Sequence, residues 1–138
     1  MIRTREDSFK TKDKGEKLQL KVRDLLRSYV SEPSLIQSQK MSAHGEDIII
    51  DPKLRPYMPY SFECMYASRP ITSTDLLNKM VQSKTQKTNL ASTINITAAV
   101  IWQVEGFEPQ ILIPLRDYCE DRFGKIIPEK KEYDNEVH

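Results

Sequence analysis

The strongest constraint on the fold is the run at residues 93–104, Thr-Ile-Asn-Ile-Thr-Ala-Ala-Val-Ile-Trp-Gln-Val, rich in the β-branched and aromatic residues that suit a pleated, packed surface. From Ala98 to Trp102 apolarity is nearly continuous, whereas a strand with one wet face would alternate. Such a segment is covered on both sides, as a central strand under helices. A layered α/β (α+β) domain is therefore expected. With 138 residues, 38% of them hydrophobic, the chain can fill one such core and not two.

The rest of the chain supplies elements to surround that strand. Leu18, Val22, Leu25, Leu26 and Tyr29 recur at helical spacing, with Lys17, Lys21, Arg23 and Arg27 mostly off the stripe, predicting an amphipathic helix over residues 14–30 that Pro33 closes. Residues 1–13 are charged and without periodicity, and read as a flexible basic arm. Residues 35–41 and 47–50 read as strands, and 60–66 as a third. Ser73 or Thr74 caps a helix running to about Lys84, with Leu76, Leu77, Met80 and Val81 inward. Residues 85–92 read as loop. Gly106 and Pro109 mark a turn, residues 110–113 return as a strand, and a short helix at 114–123 turns Tyr118 and Cys119 inward. The charged tail, 124–138, carries no pattern. The order is αβββαββα, with a mixed central sheet flanked by helices.

Two of the strands carry an acid where a packed sheet does not ordinarily want one. Asp47 opens Asp47-Ile48-Ile49-Ile50 just after His44-Gly45, and Glu63 interrupts Tyr60-Ser61-Phe62-Glu63-Cys64-Met65-Tyr66. Alternation puts Tyr60, Phe62, Cys64 and Tyr66 on one face of the latter, and Ser61, Glu63 and Met65 on the other. If the two runs pair across the turn-rich loop from Asp51 to Pro59, Asp47 and Glu63 converge. Close carboxylates resist joint ionisation unless a cation joins them, which makes Mg²⁺ or Mn²⁺ the expected third party.

Asp, a spacer and then Glu on a neighbouring strand resembles the core of the PD-(D/E)XK nuclease superfamily. More narrowly, three segments resemble a phage-encoded group of small Holliday-junction-resolvase-like nucleases: Gly15-Glu16-Lys17-Leu18-Gln19, Met41-Ser42-Ala43-His44-Gly45-Glu46-Asp47, and Pro59-Tyr60-Ser61-Phe62-Glu63-Cys64-Met65. The resemblance covers residues 14–123. It implies a restriction-endonuclease-like core and a metal-dependent DNA endonuclease, acting on branched DNA as a homodimer. Asp47, Glu63 and the backbone carbonyl of Cys64 would be the metal ligands. Gln19 stands where some relatives carry a glutamate ligand. Met65 departs from the pattern, because the group has a lysine there to orient the attacking water and steady charge on the phosphate. A thioether does neither. Lysines in this superfamily migrate between neighbouring elements, and Lys40 is the expected substitute.

The alternatives are a catalytically dead nuclease fold that keeps DNA binding or serves as a component of a phage particle, and a partner-binding inhibitor on the same scaffold. A net charge of +1 does not by itself imply a nucleic-acid partner. Its distribution is more informative, since residues 1–30 hold nine Lys or Arg against five acids and residues 120–138 hold four against six. Cys64 and Cys119 lie in apolar settings without CxxC spacing and read as reduced core residues. No apolar run approaches the roughly 18 residues of a membrane span, and no signal-peptide pattern opens the chain, so a soluble, intracellular protein is expected; the resemblance implies the host cytoplasm, or the virion. His44, Arg69, Gln82, Gln86 and Trp102 read as ordinary surface, loop and core residues. There is no Walker loop, dinucleotide glycine motif, zinc spacing or internal repeat.

Overall fold

The computed structural model describes residues 5–40, 46–88 and 95–124, with side chains from residue 13 onward. Its elements are α1 (Arg5–Arg27), β1 (Ile36–Ser38), β2 (Ile48–Ile50), β3 (Tyr60–Ala67), α2 (Ser73–Thr88), β4 (Thr97–Val104), β5 (Gln110–Leu112) and α3 (Leu115–Phe123), with short 3-10 turns at Pro33–Leu35 and Pro52–Leu54. The order αβββαββα is the one expected, and the chain is a mixed α+β domain. The strands, however, form two sheets. β3 and β4 run parallel, with β5 antiparallel to β4, while β1 and β2 make a separate antiparallel pair.

Both faces of the three-stranded sheet are covered. On one, Phe62, Cys64 and Ala99 pack with Leu18 and Val22 of α1 and with Ile36, Ile48 and Ile50 of the β1–β2 pair. On the other, Ala98 and Val100 pack against Met80 of α2, with Leu76, Trp102 and Leu112 at the margin. The alternation in β3 is thus the one its sequence dictates: Phe62 and Cys64 face α1, so Ser61 and Glu63 face α2. A parallel pair joined by a single helix requires that helix to run back along the strands, so α2 is antiparallel to β3.

Several boundaries differ from expectation for identifiable reasons. α1 starts at Arg5, so residues 5–13, expected as an unpatterned arm, are helical; Glu6, Lys10 and Lys12 are good helix formers that need no apolar stripe. The helix ends at Arg27, well before Pro33, because Tyr29 and Val30 donate to the carbonyls three residues back and the Ser28 hydroxyl takes up the Leu25 carbonyl (2.5 Å). Pro33 instead opens a 3-10 turn. The cap of α2 is Thr72, whose Oγ1 accepts from the Asp75 N–H (3.1 Å) while Asp75 Oδ2 accepts from the Thr72 N–H (3.2 Å), a reciprocal arrangement of the capping-box kind. Leu77 and Val81 are exposed rather than inward, at 63% and 61%. They lie about 100° off the stripe of Leu76, Met80 and Ser83. Residues 85–88, expected as loop, extend α2. Tyr118 is exposed and α3 buries no residue completely. Both cysteines are free thiols, but only Cys64 is buried. No helix among the described residues is long and apolar enough to cross a membrane.

Candidate functional site

β3 is an edge strand whose odd-numbered residues bond to β4, as the carbonyls of Pro59 and Ala67 do in accepting from Thr97 and Glu105. The backbone groups of Tyr60, Phe62 and Cys64 consequently face the other edge, toward β2. Among the described residues no strand ladders onto that edge, and side chains meet it at two points. The Cys64 N–H donates to Asp47 Oδ2 (2.7 Å), and the Tyr60 carbonyl accepts from Arg55 Nη1 (2.5 Å). Asp47 is itself held at the end of the hairpin, where its carbonyl accepts from the Gln39 N–H (2.8 Å).

This bond places the Asp47 carboxylate beside Glu63. Glu63 is 4% exposed, and burial first, then the charge of Asp47 and a hydrogen bond to it, push its carboxyl up to about 8, against an opposing pull from the Lys79 ammonium. Glu63 therefore keeps its proton well above the usual carboxylate range, with Asp47 as its neighbour. Burial together with the same two acids pushes the Cys64 thiol up, so it stays protonated and takes no part as a thiolate.

A second buried pair stands behind the first. Arg55 Nη2 donates to Glu46 Oε1 (2.5 Å), with the two side chains 6% and 7% exposed. Arg55 thereby joins the residue before Asp47 to the first residue of β3, and fixes how the two acid-bearing segments approach. Burial outweighs the Arg55 charge and holds the Glu46 carboxyl above its ordinary range. Its Oε2 is buried with no hydrogen-bond partner among the described residues.

The expected site residues divide accordingly. Asp47 and Glu63 come together, and the Cys64 carbonyl, by the alternation just described, faces the edge that Asp47 occupies. Gln19 is buried on α1 at the same end of the hairpin, where its Oε1 accepts from the Ser38 hydroxyl (3.2 Å). Lys40 is exposed beyond β1, its N–H donating to Gln39 Oε1 (3.3 Å), with no contact to the carboxylates among the described residues. His44, with residues 41–45, lies outside the described residues. Of the basic residues of α1, Arg27 is engaged internally, donating to the Ile36 carbonyl (2.8 Å) and Gln37 Oε1 (3.0 Å). Lys17 and Lys21 remain exposed.

Three residues escaped the sequence. Arg55 lies in a Pro-rich loop that carries no pattern. Ser83 of α2 is fully buried and bridges the sheet, donating to the Ser61 carbonyl (2.7 Å) and accepting from the Ala99 N–H (3.0 Å). Lys79, one helical turn earlier, is half-buried and acts on Glu63 and Cys64. An open apolar cleft of about 640 Å³, lined by Pro70, Ile71, Trp102, Val104 and Phe107, contains neither carboxylate.

Among the described residues there is no group of three or more His, Cys, Asp or Glu side chains able to hold a metal ion. The donor set is two carboxylates and a backbone carbonyl, which suits a hard ion that keeps several waters, as Mg²⁺ does when bound by one or two carboxylates. A carboxylate pair that must otherwise retain a proton is a chemical fit for such a cation. No family model, curated protein or solved structure matches the chain.

Proposed function

We propose that the chain is a DNA-binding protein of nuclease type, resembling the PD-(D/E)XK superfamily, that hydrolyses phosphodiesters with a divalent metal held by Asp47, Glu63 and the Cys64 carbonyl. The observation that carries this reading is the convergence of Asp47 and Glu63 at an edge of β3 that no strand among the described residues covers. The helix-strand order of a layered nuclease core supports it.

Each side chain then has a defined task. Asp47, fixed through the Cys64 N–H, and Glu63 would hold the cation. Glu63, whose carboxyl is raised, would have to be deprotonated to do so, so metal affinity would rise with pH. Arg55 and Glu46 keep the two segments at their separation. Mg²⁺ or Mn²⁺, when bound, lowers the pKa of a coordinated water and neutralises charge on the phosphate. Lys17 and Lys21 of α1 are exposed, and cations of this kind would hold a DNA backbone. A homodimer would present two such sites to the two strands of a junction.

A second reading rests on Met65. It occupies the position where the resembled nucleases carry lysine, and a thioether leaves the phosphate without its cation. On that reading the fold binds DNA, or a partner in a phage particle, without cutting. Incubation with supercoiled and four-way-junction DNA in Mg²⁺ and Mn²⁺ separates the two. Cleavage that vanishes in Asp47→Ala and Glu63→Ala supports the enzyme. Intact, salt-sensitive binding with no cleavage in either metal refutes it and supports the second reading.

A further inference from the structure

The position left empty of charge on β3 faces α2, and the geometry of that helix singles out one residue. Ser83 is pinned over Ser61 by its 2.7 Å bond to the Ser61 carbonyl. Because α2 runs antiparallel to β3, a step back of one helical turn, about 6 Å for four residues, matches a step forward of two strand residues, about 6.6 Å. Lys79 therefore stands over Glu63 as Ser83 stands over Ser61. Around the helix Lys79 lies about 40° from Ser83 and about 100° from Met80, at the margin of the face that packs on the sheet. It is half-buried there, and among the described residues no salt bridge engages it. The Lys79 charge acts on both Glu63 and the Cys64 thiol, which agrees with this placement.

We propose that Lys79 supplies from α2 the cation that Met65 cannot supply from β3: its ammonium stands beside the Asp47 and Glu63 carboxylates and holds the negative charge of a phosphate bound at the metal. The inference rests on the metal-dependent reading of the site. Lys79 acts as a fixed positive charge and takes no proton from the attacking water. A flexible four-carbon stem rooted one layer away reaches the space that a strand residue at position 65 would enter directly.

Moving the ammonium back to the strand tests the proposal. Lys79→Met, Met65→Lys and the combined Lys79→Met/Met65→Lys proteins are compared with wild type for nicking of supercoiled DNA in Mn²⁺, for Mn²⁺ affinity by calorimetry, and for thermal midpoint. Lys79→Met is expected to lose about a hundredfold in nicking while binding Mn²⁺ several-fold more tightly, since a like charge has left the cation site. The combined variant is expected to regain at least about tenfold. Wild-type nicking by Lys79→Met, or no recovery in the combined variant, overturns the proposal. A wild-type protein that binds Mn²⁺ and nicks nothing refutes the nuclease reading separately. Mn²⁺ affinity then decides on Lys79, because equal affinity in wild type and Lys79→Met places the ammonium elsewhere and overturns it.

Discussion

Glu63→Gln reports directly on the proton that buried Glu63 keeps beside Asp47. With the carboxyl raised from 4.5 to about 8 in the folded protein, the native state binds a proton that the unfolded chain releases. Stability is then fullest below pH 4.5, falls as pH rises toward 8, and levels off above it. At about 1.4 kcal/mol per unit, the whole shift sets a ceiling on the order of 5 kcal/mol. Interaction with Asp47 and local relaxation bring the expected loss nearer to roughly 2–3 kcal/mol. The glutamine amide donates to Asp47 as the neutral acid does, at every pH. Urea unfolding in EDTA from pH 4 to 9 should show Glu63→Gln equal to wild type near pH 4 and progressively more stable up to pH 8. Saturating Mg²⁺ should then restore wild type and leave the variant unmoved, by about 2.7 kcal/mol at a hundred times the dissociation constant. A stability difference that stays constant from pH 4 to 9 would refute the raised Glu63 carboxyl.

Arg55→Met strands Glu46 without its partner and should cost about 3–5 kcal/mol by urea unfolding; Arg55→Met/Glu46→Leu should recover most of that, and equal stability of the two variants would contradict the buried pair. Ser83→Ala leaves the Ser61 carbonyl and Ala99 N–H without the hydroxyl that bridges them and should lower stability by about 1–3 kcal/mol, read as a drop in thermal midpoint with no change in Mn²⁺ affinity. Thr72→Ala removes the cap of α2 and should cost about 1 kcal/mol; because Lys79 and Ser83 lie further along the helix, amide exchange should quicken in its first turn and not at Ser83.

The order of elements was legible because it follows from periods that burial enforces: two in β3, where Phe62 and Cys64 meet α1, and near 3.6 in α1, where Leu18 and Val22 do. The paired acids were legible for the complementary reason, since an ionisable group inside an apolar strand demands an explanation. Apolarity misled on α2. Leu77 and Val81 look inward by composition, yet the face against the sheet is set by Leu76, Met80 and Ser83, with Lys79 at its margin. A serine that bridges two strands has no sequence signature of its own, and neither has an arginine in a Pro-rich loop that reaches a glutamate nine residues away. The division into two sheets was equally hidden, because strand propensity says where a strand forms and not which edge it leaves open.

That open edge explains why the acids meet where they do. Had β2 laddered onto β3, backbone groups of β2 would have filled the positions facing Tyr60, Phe62 and Cys64, and the Cys64 carbonyl would have been consumed by a strand N–H. Instead Asp47 takes the Cys64 N–H and Arg55 takes the Tyr60 carbonyl, so the edge is satisfied at two points by side chains, which can approach without closing the space between them. A buried edge with unmet donors would cost several kcal/mol; the two side chains lower that cost at the groups they meet. The same substitution of side chains for a strand protects the edge from pairing with another chain. Removing the Asp47 carboxylate should therefore do two separable things: abolish metal binding and expose the Cys64 N–H. Asp47→Asn, which keeps an oxygen for that N–H, should retain most of the stability that Asp47→Ala loses while still losing divalent-metal affinity.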